Sequence, residues 1–308
     1  MAFPFSIEVV VFFFVLSLLA SVVNGGLGYG YSSMSTPLAI LFLANRILNP
    51  AYVLLEAILN SAMLVLSGKR NVVATYRRTL PLIVALVPGV VVGSLVLSVA
   101  APLWIRFSVY VTILPLILLQ AAGLRRPIKG EARAGVPLGF GVGLLYSITT
   151  ISGPPIALFW NNQGLEKGEF KAAIAQIRIA ESYLTSILYF SLGLFTATNL
   201  SLFTIIAPPV VLGVPIGIFL VRLVPVETFR RICMSFDAWI VGFGLSATLQ
   251  PLFGLAQDVG YGVWGAVIAV DLALLYRFFK KRAAAPSPEV GARAPDVRGK
   301  GMGPKVTS

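Results

Sequence analysis

Histidine is absent from the sequence, and cysteine occurs once, as Cys233. One thiol makes no CxxC redox pair and no intramolecular disulfide. Without imidazole there is no His-ligated haem, zinc or other transition-metal site and no His-based proton relay. Charge is also scarce: 12% of the 308 residues are Asp, Glu, Lys or Arg, against roughly a quarter in an ordinary soluble domain. So few charges cannot cover a water-soluble globule of this size. Acid is the scarcer sign, with 12 Asp+Glu against 24 Lys+Arg. The basic residues lie in short segments between apolar runs, which marks membrane orientation rather than nucleic-acid binding. The opening residues Met1–Glu8 carry no basic n-region, so no cleaved signal peptide is expected. No Gly-Lys-Ser/Thr follows any glycine cluster, so neither a nucleotide nor ATP-driven work is expected.

What is abundant is apolar: 57% of residues are hydrophobic, and the mean hydropathy is +0.88. The first apolar run, Phe5–Ala44, would form a helix about twice as long as the hydrocarbon core is thick, so the cluster Asn24–Gly30 must break it. Further runs cover Ala51–Leu66, Leu80–Ala100 and Trp104–Ala122. After a basic loop with Arg125, Arg126, Lys129 and Arg133 come Gly135–Trp160, broken around Thr149–Pro155, then Ala172–Leu194, Leu202–Val221, Ile232–Leu249 and Tyr261–Phe279. The Pro-, Gly- and charge-rich tail 283–308 is expected to be disordered.

The two halves resemble each other. A shift of about 118 residues lays Gly25 on Gly143, Pro37 on Pro155 and Ala39 on Ala157; two residues more lay Pro88 on Pro208 and Gly93 on Gly213. The basic clusters Lys69–Arg78, Arg125–Arg133, Arg222–Arg231 and Arg277–Arg282 all fall on one side only if Gly135–Trp160 enters and leaves on that side. The repeats are then inverted. The expected fold is an all-α polytopic bundle of about eight or nine transmembrane segments with broken or re-entrant helices. Its repeats cover 5–122 and 134–250, an additional helix covers 260–280, and the C-terminus is cytoplasmic.

Each repeat contains a segment joining glycines, hydroxyl residues and proline inside an apolar run: Gly25–Pro37 and Gly139–Pro155. Glycine lets the chain leave the helix, proline starts a new one, and the new N-terminus presents unpaired amides and a partial positive charge to an anion. Small residues also serve close helix packing; occurrence at matched positions favours a site. The candidate substrate-binding residues are Asn24, Gly28, Gly30, Ser32, Ser33, Ser35, Thr36, Asn60, Thr149, Thr150, Ser152, Gly153 and Arg178. Arg178 and Glu181 lie within one apolar run, with Glu56 and Asp237 in others. A charge at the bilayer centre costs at least about 2.5–3.5 kcal/mol, so these should face inward and be paired. Arg178 either pairs with Glu56 or Glu181 to hold helices together or neutralises a substrate anion, with Glu56, Glu181 and Asp237 as coupling candidates. Asp271 is read as interfacial.

With these residues in view, the chain resembles the TauE/SafE family of sulfite exporters (TSUP transporters). The resemblance rests on Gly25–Gly30 followed by Ser35-Thr36-Pro37-Leu38, on Gly139-x-Gly-x-Gly followed by Ser152-Gly153-Pro154-Pro155-Ile156, and on Pro88-Gly89…Gly93 with Pro208-Pro209…Gly213…Gly217. It covers about Phe5–Leu249. Where many relatives carry consecutive glycines, this chain reads Gly28-Tyr29-Gly30-Tyr31-Ser32-Ser33. The resemblance implies passage of sulfite, sulfonates or related organic anions across the bacterial inner membrane, as export. The expected partners are a small anionic substrate, the lipid bilayer and protons or sodium as coupling ion, with a homodimer left open; no nucleic acid, cofactor or metal is expected. A passive anion channel and a non-transport membrane assembly protein are the alternatives. An enzyme is disfavoured, because no nucleophile–base pair lies within a span.

Overall fold

The computed structural model describes residues 5–122 and 130–284. Every regular element among them is a helix: α1 (Ile7–Leu27), α2 (Tyr31–Phe42), α3 (Asn45–Ser67), α4 (Lys69–Val99), α5 (Pro102–Ala121), α6 (Glu131–Thr149), α7 (Gly153–Asn162), α8 (Lys167–Ser191), α9 (Ala197–Leu223), α10 (Val226–Phe253) and α11 (Gln257–Ala284). Loop residues Arg125, Arg126 and Lys129 and the tail beyond Ala284 lie outside the described residues. Large apolar side chains such as Val84, Val99, Phe190 and Val211 stand exposed around the bundle. That surface suits lipid and would be untenable in water.

Seven described helices are long and apolar enough to cross a bilayer: α1, α3, α4, α5, α9, α10 and α11. Eight or nine were expected. The shortfall comes from α6, diluted by glycines and Arg133, and α8, which carries Lys167, Glu169, Lys171, Arg178 and Glu181. Both are long enough to reach across the core, but much of their surface is held against protein. The helices α2 and α7, of 12 and 10 residues, are too short to span.

Both long runs break where the sequence predicts. At the first break Gly28 (φ 84°) and Gly30 (φ 110°) take left-handed conformations that only glycine adopts without cost. At the second, Thr150 has φ 61°, and no other non-glycine among the described residues has a positive φ. For a β-branched residue this is a strained position.

Most of the remaining motif glycines serve packing. A Cβ on Gly139 or Gly143 of α6 would overlap the carbonyl oxygen of Leu82 or Leu86 on α4, and one on Gly89 would overlap the carbonyl of Phe140. On the other side of the bundle, Gly25 of α1 abuts the backbone of Val214 on α9, and Gly217 of α9 abuts that of Val22. These are small-residue contacts that let membrane helices approach backbone to backbone. The order of contacts makes α1 parallel to α9 and α4 parallel to α6. By contrast, Trp104 and Phe107 meet Phe253 edge-to-face while Tyr110 meets Gly244, so α5 and α10 are antiparallel.

A chain of contacts gathers the starts of α4, α6 and α8 and the turn between α9 and α10, with their basic residues, at one end. Arg78 pairs with Glu131 at 2.6 Å, Gly168 packs on Asn71, Lys171 lies by Gly26, and Gly26 adjoins Val221 and Phe229. Arg46 is at the opposite end of α4, donating to the carbonyls of Leu97 and Ala100.

Candidate functional site

The two helix breaks turn inward and meet at a buried polar centre between α3 and α8. Arg178, 1% exposed, extends from α8 to Glu56 of α3, 0% exposed, with Nη2 2.5 Å from Oε1. Its Nε donates to Asn60 Oδ1 at 3.2 Å, and Asn60 Nδ2 donates to Ser182 Oγ at 3.1 Å. Tyr146 of α6 completes the group, its hydroxyl 3.0 Å from Ser182 Oγ. Of the two sequence-level partners for Arg178, the structure selects Glu56.

Each break supplies a serine to one carboxylate. Ser32, at the start of α2, donates to Glu56 Oε1; Ser152, the residue before α7, donates to Glu181 Oε2 at 2.6 Å. The other oxygens, Glu56 Oε2 and Glu181 Oε1, are buried without a hydrogen-bond partner. Thr36 and Thr150 link the breaks directly, Oγ1 to Oγ1 at 3.2 Å. A Cβ on Gly153 would lie 3.3 Å from Arg178 Nη1 and 2.8 Å from the Tyr29 ring. Glycine here therefore keeps the helix start open to the guanidinium.

The two helix starts are not equivalent. Neither has a side-chain cap. The first turn of α2 presents the amides of Tyr31, Ser32 and Ser33, which have no earlier carbonyl in the helix to bond. In α7, Pro154 and Pro155 carry no N–H, so Gly153 is left as the donor in the opening three residues. The axial dipole remains in both.

The other candidates are distributed around this centre. Ser33 and Ser35 spend their hydroxyls on the carbonyls of Gly30 and Tyr31. Thr149 bonds the carbonyl of Leu145 and accepts from the amide of Ile151, tying down the break. Asn24 is buried in α1 with both side-chain polar atoms unpartnered, while its carbonyl caps Gly28. Asp237 stands apart from Arg178. It lines a water-sized cavity with Tyr29, Gly30, Ser33, Gln120, Pro154 and Arg230, and its Oδ1 is unpartnered.

Asp271 corrects the sequence reading. It is fully buried rather than interfacial, accepting from Arg231 Nη2 at 2.8 Å and from Trp239 Nε1 at 3.1 Å. This second buried ion pair fastens α11 to α10. Sequence reasoning also missed Tyr146 and Ser182. Ser182 is detectable as the residue one helical turn beyond Arg178, whereas nothing in the sequence singles out Tyr146 from other aromatics.

A bundle of apolar helices around two broken segments and a buried guanidinium defines a polytopic helical membrane protein. The family described as Sulfite exporter TauE/SafE matches residues 13–245, and the chain belongs to that family. The match ends in α10, so α11 with Asp271 lies beyond it, while Arg231 lies within it. Neither the curated proteins nor the solved structures gave a match.

Proposed function

We propose that the protein is a secondary transporter that carries a small oxyanion, such as sulfite, a sulfonate or a related organic anion, across the bacterial inner membrane in the export direction, with its C-terminus cytoplasmic. The observation that carries this reading is the convergence of both broken-helix N-termini on the buried guanidinium of Arg178. A small oxyanion offers several acceptors in a compact volume. The amides of α2, the hydroxyls of Ser32, Thr36, Thr150 and Ser152, the Asn60 amide and Arg178 supply matching donors.

Residues 5–122 and 134–250 form the two inverted repeats, and 260–280 an added helix. Support comes from the cross-pairing of α1 with α9 and α4 with α6, and from the antiparallel packing of α5 and α10. Asn60 and Arg178, 118 positions apart, bond to each other, as residues on a shared pseudo-two-fold axis would.

Charge arithmetic supports coupling to protons. The centre holds one guanidinium and two carboxylates, Glu56 and Glu181. With all three ionised its net charge is negative, which repels an anion in a medium of low dielectric constant. Glu56 is the partner that fixes Arg178, so Glu181 carries the proton that accompanies the anion. Asp237 is the second coupling candidate, on the pathway to the basic end.

The test is flux of labelled sulfite and a panel of sulfonates into liposomes containing the purified protein. Saturable uptake that is faster with a proton gradient is expected. Uptake no faster than in empty vesicles for every anion tried refutes the proposal.

A further inference from the structure

The basic end of the bundle carries a second constellation outside the buried centre. A pocket there is lined by Gly26, Leu27, Tyr29, Lys167, Phe170, Lys171 and Arg230. It brings together two lysines from the start of α8 and an arginine from α10. Lys167 is exposed, Lys171 is half-buried with its Nζ 3.5 Å from the carbonyl of Gly26, and the Arg230 side chain is 15% exposed. The acid bonded to Arg230, Glu227 at 2.5 Å, is itself 53% exposed. No acidic side chain is among the residues that line the pocket.

The pocket is one aromatic ring away from the centre. Tyr29, between the two left-handed glycines, lines this pocket and also the cavity that holds Asp237. Its ring lies edge-on to Phe170 at 6.4 Å and is packed on Gly153, whose open face meets Arg178. Its hydroxyl accepts from Gln120 Nε2 at 3.3 Å.

We infer that Lys167, Lys171 and Arg230 form a loading site for the small oxyanion at the basic end, from which it passes Tyr29 to Arg178. This rests on the transporter reading above and adds a named first station to it. Ammonium groups suit such a station, because they are strongly hydrated point charges that attract an anion without the fixed geometry of a guanidinium–carboxylate lock. A cluster of one sign at the mouth of a low-dielectric path raises the local anion concentration and the on-rate, and salt screens it.

The test uses full-length protein, titrated in detergent with sulfite at low and high NaCl, with sulfite flux in liposomes measured in parallel. The Lys167→Gln/Lys171→Gln pair should weaken binding and raise the half-saturating sulfite about 5- to 10-fold at low salt, with the maximal rate kept and most of the salt dependence lost. Lys167→Arg/Lys171→Arg keeps both charges and should retain the salt dependence of binding. A folded double Gln variant with parental affinity and salt dependence overturns the loading site while leaving the transporter reading intact. A parent that neither binds nor moves sulfite or any sulfonate sinks the transporter reading and the loading site with it. If the double variant does not fold, Lys167→Gln alone, at an exposed position, should show about a twofold weakening; no change overturns the inference.

Discussion

Arg178→Ala and Glu56→Gln separate a site from a strut. Both side chains are essentially without solvent exposure, and both are held by further bonds, to Asn60 and Ser32. Removing one partner of a buried pair costs about 3–5 kcal/mol, because the other charge is left uncompensated. The two variants should not cost the same. Arg178→Ala leaves two buried carboxylates, Glu56 and Glu181, without the cation between α3 and α8, and belongs at the upper end. Glu56→Gln leaves Arg178 one turn from Glu181, which can take its place, and belongs at the lower end. At about 2–4 °C per kcal/mol, thermal unfolding in detergent should shift down by roughly 6–20 °C. The double variant Glu56→Gln/Arg178→Ala removes both charges and should fall short of the sum of the singles by about 2 kcal/mol or more. Sulfite supplies the second readout: at a hundred times its dissociation constant it should stabilise the parent by about 2.7 kcal/mol. Arg178→Lys keeps the charge but loses the planar fork that reaches Glu56 and Asn60 together; sulfite should no longer stabilise it. Single variants each within about 1 kcal/mol of the parent and strictly additive would refute the buried pair. An Arg178→Lys protein stabilised by sulfite as the parent is would remove Arg178 from the binding site.

Three further outcomes follow from the same geometry. Glu181→Gln fixes a neutral side chain beside Ser152, so sulfite flux in liposomes should lose its rise towards low pH while retaining affinity; a parental pH profile refutes Glu181 as the coupling residue. Gly139→Leu drives a side chain into the backbone of Leu82 and should abolish or sharply reduce folded protein, whereas Gly141→Leu, which meets nothing within 4 Å, should express and melt as the parent; equal effects from the two contradict the α4–α6 packing. Asp271→Ala strands Arg231 and should lower stability by about 3–5 kcal/mol, with the per-molecule transport rate retained in the surviving protein; a loss of sulfite binding in folded Asp271→Ala would give α11 a part in the site.

The sequence makes the scaffold legible because lipid imposes simple rules. A run twice the thickness of the hydrocarbon core has to break, and the residues able to break it are glycine and a few hydroxyl residues. Gly28 and Gly30 satisfy this rule. At the second break the residue that turns left-handed is Thr150, although glycines stand at 139, 141 and 143; Gly139 and Gly143 instead let α6 seat on α4, and Gly141 faces open space. Composition cannot tell a glycine that breaks a helix from one that lets two helices touch. Partner choice is similarly hidden. Glu181 sits three residues from Arg178 and is the obvious local partner, but the helix turns it towards Ser152, and the bond goes to Glu56, 122 positions away. Asp271 reads as interfacial by its place near the end of an apolar run; only the tertiary packing of α11 on α10 reveals Arg231 and Trp239 around it.

The centre is also why α8 fails as an ordinary span. Its hydropathy is lowered by Arg178, Glu181, Gln176 and Ser182, and each of these is buried and bonded to another helix: Gln176 to α4, Ser182 to α3 and α6, Arg178 to α3, Glu181 to the α7 break. A helix with that much polarity is stable in a membrane only while its neighbours satisfy it. The reverse also holds: an anion at the breaks would draw on the same donors that now tie α3, α7 and α8 together. Arg178 cannot give its full fork both to Glu56 and to a ligand, so binding should loosen the α3–α8 tie. In an architecture of cross-paired halves, that exchange of an internal partner for a bound one is a direct way for the ligand to shift the balance between two arrangements of the bundle.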